Sequence, residues 1–140
     1  MNKDTSEIVK ELELSPDFHT FYETNKDYML ADTLAQLLNK LLETTGLKKS
    51  QVIRDAEISE VYGYQIFSGI RMPERKKLLS LAIAMHLDIP QTQLLLKKAG
   101  YSQLYVKQPF DSVVMYGLCK ELCILQINEI LYSYGLETLG

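Results

Sequence analysis

The chain has 140 residues, 46% apolar and 24% charged, which is enough for one domain with a real core and too few for two ordinary domains. Its net charge of −3 argues against indiscriminate nucleic-acid binding. Residues 1–18 lack a basic start followed by an apolar run, and no apolar stretch approaches the roughly 20 residues of a membrane span, so a cytoplasmic protein without secretion signal or membrane anchor is expected.

Charge is unevenly distributed. Residues 1–34 hold three Lys against eight Asp or Glu, a balance of −5, whereas residues 45–77 hold seven Lys or Arg against four acids, a balance of +3. A basic island lies in an otherwise acidic chain.

Nearly every segment has helical period and nothing reads as a strand pair, so an all-α fold is expected. Ser15-Pro16, a capping residue before a proline, predicts a short helix from Pro16 to about Asn25 with Phe18, Phe21 and Tyr22 on its apolar face. Before it, an arm or a frayed helix is expected. Leu34, Leu37, Leu38, Leu41 and Leu42 form one apolar stripe, with Asp32 as the predicted cap and Gly46 as the stop. A short helix over about Lys48 to Ala56 buries Val52, Ile53 and Ala56. Ser59 then caps the next helix and Gly69 closes it. Two helices joined this tightly form a helix-turn-helix.

Arg71-Met72-Pro73 is expected to start a further helix, with Pro73 at or near its first turn and Leu78, Leu79, Ala82, Ile83 and Met85 on its buried side. Pro90 opens another, carrying Leu94 and Leu95 and ending at Gly100. The last third repeats this pair at a shift of 35 residues: His86 falls on Glu121, Gln91 on Gln126, Gly100 on Gly135 and Leu104 on Leu139. Two copies do not make a solenoid, and a helical hairpin extending one core is the simplest reading. The expected organisation is an acidic arm with a short helix over residues 1–30, a helix-turn-helix domain over 31–100 and a helical hairpin over 101–140 on the same core.

The order of five helices over residues 33–98, Ile58-Ser59 before the third, Phe67-Ser68-Gly69-Ile70 closing it and the run from Arg71 to Ala82 resemble the phage-repressor (Cro, XRE) family of helix-turn-helix proteins. The resemblance implies a lambda-repressor-like five-helix domain. It also implies a bacterial transcriptional regulator that binds double-stranded DNA, as a homodimer on a two-fold site. By position, it puts Glu60, Val61 and Gln65 at the bases, with Tyr62 and Tyr64 on the same arc. Lys49 and Ser68 take phosphate-contact positions. Gln65 suits adenine, Glu60 the amino group of cytosine and Val61 a thymine methyl. Lys48, Arg71, Arg75, Lys76 and Lys77 add sequence-independent attraction to phosphates.

The chain departs from that pattern at four places, one of them Phe67, which stands where an acidic residue is frequent. Gly63 stands where the family has a branched aliphatic residue, Glu57 where a glycine is common in the turn, and Glu60 presents an acid to the groove. Glycine inside a helix costs on the order of 1 kcal/mol relative to alanine, so Gly63 implies close approach of the two helices, with Tyr62 or Phe67 filling the gap. Tyr62 and Tyr64 cannot both face the core, and an exposed tyrosine serves as a base or sugar contact or as an anchor in a protein interface. The alternative function is therefore a protein-interaction or signalling module on the same scaffold, with a serine/threonine kinase as the partner considered.

No catalytic motif stands out: there is no phosphate loop, nucleophile elbow or HExxH, and no enzyme activity is expected. Cys119 and Cys123, four apart on an apparent helix, read as small apolar filling in a reduced compartment, and His19 and His86 are isolated. Neither a metal nor a cofactor is expected.

Overall fold

The computed structural model describes residues 3–26 and 33–140, and the chain divides into two compact units, residues 1–31 and 32–140. Among the described residues there are nine helices and no strand.

The first unit pairs α1 (Thr5–Leu14) with α2 (Phe18–Asn25). Asp4 caps α1 by accepting from the Ser6 N–H, and Asp17 caps α2 by accepting from the Thr20 N–H. Those backbone bonds hold both carboxyls below their usual range. Ser15, predicted to cap α2, instead ends α1, its hydroxyl donating to the Glu11 carbonyl at 2.7 Å. Asp17 stands two residues later with a carboxylate, a charge-assisted cap at the positive end of the helix. A polar cluster ties the helices: Lys3 Nζ donates to both Glu11 oxygens and to Asn25 Oδ1, while Asn25 Nδ2 donates to Glu11 Oε2. On the predicted apolar face only Phe21 is buried; Phe18 is 67% exposed.

The second unit carries α3 (Leu34–Thr45), α4 (Lys49–Asp55), α5 (Glu60–Ser68), α6 (Arg75–Ala84), α7 (Ile89–Ala99), α8 (Pro109–Cys119) and α9 (Ile124–Ser133). α3 begins with a capping box in which Thr33 and Gln36 satisfy each other's backbone N–H groups; Thr33 is therefore the cap, and the predicted Asp32 lies outside the described residues. Its leucine stripe faces the core, with Leu37 at the edge. α6 is the central rod: every residue from Leu78 to Ala84 is buried, and it packs against α4, α7, α8 and α9. Pro73 lies just ahead of α6, near its first turn, with Glu74 as the cap residue. In α7, Leu95 is buried whereas Leu94 is 47% exposed, one helical position past the edge of the apolar stripe.

One joint recurs three times. Glu57, His86 and Glu121 are the non-glycine residues with left-handed backbone among those described, at φ 58°, 56° and 54°. Each ends one helix two residues before the cap of the next. After each, an N–H reaches back five residues: Ile58 to Ile53, Leu87 to Ala82 and Leu122 to Gly117. The last two joints are the sequence repeat, down to detail. Leu104 N–H donates to Gln93 Oε1 at 2.7 Å, and 35 residues on, Leu139 N–H donates to Asn128 Oδ1 at 2.8 Å. The α4–α5 joint belongs to the same series, which the 35-residue repeat does not reveal.

Candidate nucleic-acid interface

The helix that would read DNA is held from behind. Ile66 and Phe67 are buried, and Gly63 lies against α4: a Cβ there would sit 2.5 Å from Ile53 Cγ2 and 2.7 Å from Cγ1. The close approach implied by Gly63 is present, but Ile53 occupies the space, not Tyr62 or Phe67. At the front, the Ser59 hydroxyl accepts from the Tyr62 N–H at 3.2 Å. At the back, Gly69 adopts left-handed backbone at φ 84°, and the Ile70 and Arg71 N–H groups both donate to the Gln65 carbonyl. Both helix ends are thus satisfied, so α5 is a short rigid rod.

Its outer face is open. Glu60 and Val61 lie in the first turn and are exposed, Val61 by 69%; Tyr64 is exposed and Gln65 half-buried. The question left by the two tyrosines resolves by packing. Tyr62 leans on the core with the Arg71 guanidinium 5.4 Å from its ring centre, and Tyr64 faces out. Lys49 Nζ lies 5.2 Å from the centre of the Phe67 ring. Each cation is steadied by an aromatic face, an interaction worth roughly 0.5–1 kcal/mol at an exposed site. Ser68 is exposed, its hydroxyl turned to the Gln65 carbonyl. Lys48, the residue before α4, is exposed, and Lys77 is half-buried.

Two of the expected phosphate contacts are engaged elsewhere. Arg75 forms a two-pronged ion pair with Asp111, both N–O distances 3.1 Å, and also donates to the Ser102 and Gln103 carbonyls. Lys76 pairs with Glu137 at 2.7 Å and lies over the Phe110 ring; the ammonium holds the Glu137 carboxyl below its usual range. The run Arg71–Lys77 looks uniform in sequence, yet its second half belongs to the C-terminal hairpin. Sequence reasoning also missed the apolar part of the face. Ile70 is 78% and Met72 58% exposed; flanking an arginine in a loop, they have no period that would announce it. With Lys49, Glu60, Val61, Tyr64, Gln65 and Ser68, Ile70 lines a shallow depression of about 560 Å³. Ser68 also borders a groove of about 760 Å³ between α3 and the end of α5, whose rim includes Arg71 and Met72.

Cys119 and Cys123, read as apolar filling, are both exposed free thiols, because each falls at a helix end beside the α8–α9 turn. Among the described residues no group of three His, Cys, Asp or Glu side chains is placed to hold a metal ion, and no helix is long and apolar enough to cross a membrane. Comparison with protein-family models, with curated proteins and with solved structures found no match.

Proposed function

We propose that residues 48–77 bind double-stranded DNA, with α5 in the major groove, and that the chain is a transcriptional regulator of the phage-repressor type. One observation carries the reading: Glu60, Val61, Tyr64 and Gln65 project from a capped rod backed by the core, with Lys49 and Arg71 beside it. A reading helix needs open side chains near its N-terminus to reach base edges, and cations on its shoulders to meet phosphates. The resemblance over residues 33–98 supports the same reading and brings with it a cytoplasmic homodimer on a two-fold operator.

A second reading has its own observation. Val61, Tyr64, Ile70 and Met72 are exposed apolar groups, and Arg75 and Lys76 are neutralised by Asp111 and Glu137. That leaves a less basic, more apolar face, as a protein-interaction module would present.

Fluorescence anisotropy on duplexes selected from a random library separates the two. Lys49→Ala and Arg71→Ala weaken binding to every duplex, each lowering the log–log salt slope by about 0.9. Gln65→Ala mainly blurs base preference. Lys76→Ala, whose ammonium is held by Glu137, leaves both near wild type. Absence of any selected duplex at low salt removes the DNA reading and leaves the protein-interface one.

A further inference from the structure

We propose that the α1–α2 hairpin is a docking module whose open apolar face takes a basic amphipathic helix of another protein. The proposal concerns the first unit alone and does not rest on the DNA-binding reading.

The hairpin is too small to hold itself. Its helices have 10 and 8 residues, and among its described residues only Phe21 and Asn25 are buried. Isolated helices below roughly 12–15 residues are marginal in water, and folds below about 40 residues usually need a staple or a partner. Lys3, Glu11 and Asn25 fix how the helices meet, but their hydrogen bonds bury no apolar surface. The apolar surface left over is concentrated on one side. The α1 side turned to α2 carries half-buried Ile8, Glu11 and Ser15, and the α2 side turned to α1 carries Phe21 and Asn25. Next round each helix, in the same sense, come Val9 and Leu12 on α1 and Phe18 and Tyr22 on α2, exposed by 45%, 49%, 67% and 42%. Lys3, ahead of α1, reaches Asn25, the last residue of α2, so the helices run antiparallel and both apolar edges share one side of the hairpin. The Phe18 ring centre lies 5.9 Å from that of Phe21 and 6.0 Å from that of Tyr22, which makes the open face continuous with the buried ring.

The sign of the partner follows from the rim. Residues 3–26 hold six Asp or Glu against three Lys, and two of those lysines, Lys3 and Lys26, pair with Glu11 and Glu23. Glu13 stands one turn after Val9, and Asp17 directly precedes Phe18, so carboxylates border the apolar face. Such a rim repels duplex DNA and anionic membranes, and an uncharged apolar segment leaves it unanswered. A helix with an apolar stripe between lysines or arginines satisfies both features, lying along the pair as amphipathic helices lie in apolar grooves. Phe18, aromatic and central to the face, is its anchor.

The test uses the full-length chain and three synthetic peptides about five turns long: an amphipathic helix of leucine and lysine, the same helix with glutamate for lysine, and a scramble of the first. Fluorescence anisotropy finds binding of the first alone, weakening as salt rises. Phe18→Ala and Tyr22→Ala each lower its affinity about tenfold. Glu13→Gln combined with Asp17→Asn, which keeps the α2 cap, flattens the salt dependence. Hydrogen exchange in residues 5–25 slows when the peptide is bound, and Val61→Ala with Tyr64→Ala, on the α5 face, leaves the affinity unchanged. No binding of the lysine peptide, equal binding of either control, or affinity untouched by Phe18→Ala and Tyr22→Ala overturns the proposal. Two other occupants give their own signatures, and either overturns it as well. A second copy on this face gives self-association in sedimentation that Phe18→Ala abolishes; the chain's own second unit gives faster exchange in residues 34–133 of Phe18→Ala without peptide.

Discussion

In α4–α5 the isoleucine of the helix crossing is on the first helix and the glycine on the second, Ile53 against Gly63. In α8–α9, 64 residues further on, the order is reversed, and Gly117 meets the side chain of Ile127. Both pairs bend through a left-handed glutamate, Glu57 or Glu121, and both bring their helices close at equivalent points. Packing needs one bulky and one small residue at that point, and it is indifferent to which helix supplies which. The outer faces are not interchangeable. α5 leads with Glu60 and Val61 and has Lys49 and Arg71 beside it, whereas α9 begins with buried Ile124 and exposes Leu125, Glu129 and Tyr132. One joint therefore serves two ends: α4–α5 offers a surface, and α8–α9 braces the core behind α6. Scaffold and site are separable, and the function must be argued from the side chains of the site.

The largest effect should come from breaking the brace. Asp111→Ala removes the counter-charge of Arg75, which keeps only the Ser102 and Gln103 carbonyls, and leaves without an acceptor the Tyr105 N–H that donates to Asp111 Oδ2 at 2.9 Å. Removing one partner of a buried pair costs about 3–5 kcal/mol, and with the Arg75 side chain 23% exposed the expected loss is near 3. Urea unfolding of the second unit measures it, and a loss below about 1 kcal/mol would mean that the hairpin stands without this clasp.

The swapped glycines sharpen the comparison next. Gly63→Ala drives a methyl into three carbons of Ile53, including Cγ2 next to its Cβ. Overpacking of about 1–3 kcal/mol, less the roughly 1 kcal/mol that alanine regains in helix propensity, leaves a net loss of about 0–2. At Gly117 a Cβ would sit 2.3 Å from Cδ1 and 2.5 Å from Cγ1 of Ile127, and Cγ1, like Cγ2, is fixed to the branched Cβ, so the same substitution should cost about as much, about 0–2 kcal/mol. Ile53→Ala combined with Gly63→Ala should cost less than the sum of the two, by about 0.5–3 kcal/mol. Strict additivity would show that the two residues do not share one space.

Smallest is the difference between the caps. Ser59→Ala removes the acceptor of the Tyr62 N–H and should cost about 1 kcal/mol. At Cys123 the cap bond runs from the backbone N–H to Gln126 Oε1, which alanine at 123 retains, so Cys123→Ala should cost a few tenths at most. Equal losses at the two positions would erase the distinction.

Much of this molecule could be read one element at a time. The leucine stripe of α3, the cap at Ser59 and the stop at Gly69 depend on neighbours within one or two turns, and the structure places them as expected. Where the structure differs from the local reading, the cause is shared. Ser15 and Asp17 are both good caps two residues apart, so local preference did not choose between them. Phe18 and Leu94 are apolar residues at the margin of a stripe, and what packs there is decided by other elements. Cys119 and Cys123 gave no warning of exposure, because four-residue spacing describes a helix face and the chain turns between them.

What the residues determined unaided was the set of rods and stops, since helical period, capping and left-handed turns are settled by groups a few residues apart. The tertiary structure alone decided which charges face outward. Arg75 meets Asp111 across 36 residues, and Lys76 meets Glu137 near the end of the chain. Until the hairpin returns to α6 those cations are indistinguishable from Arg71, because an ion pair is a property of two segments brought together and not of either one.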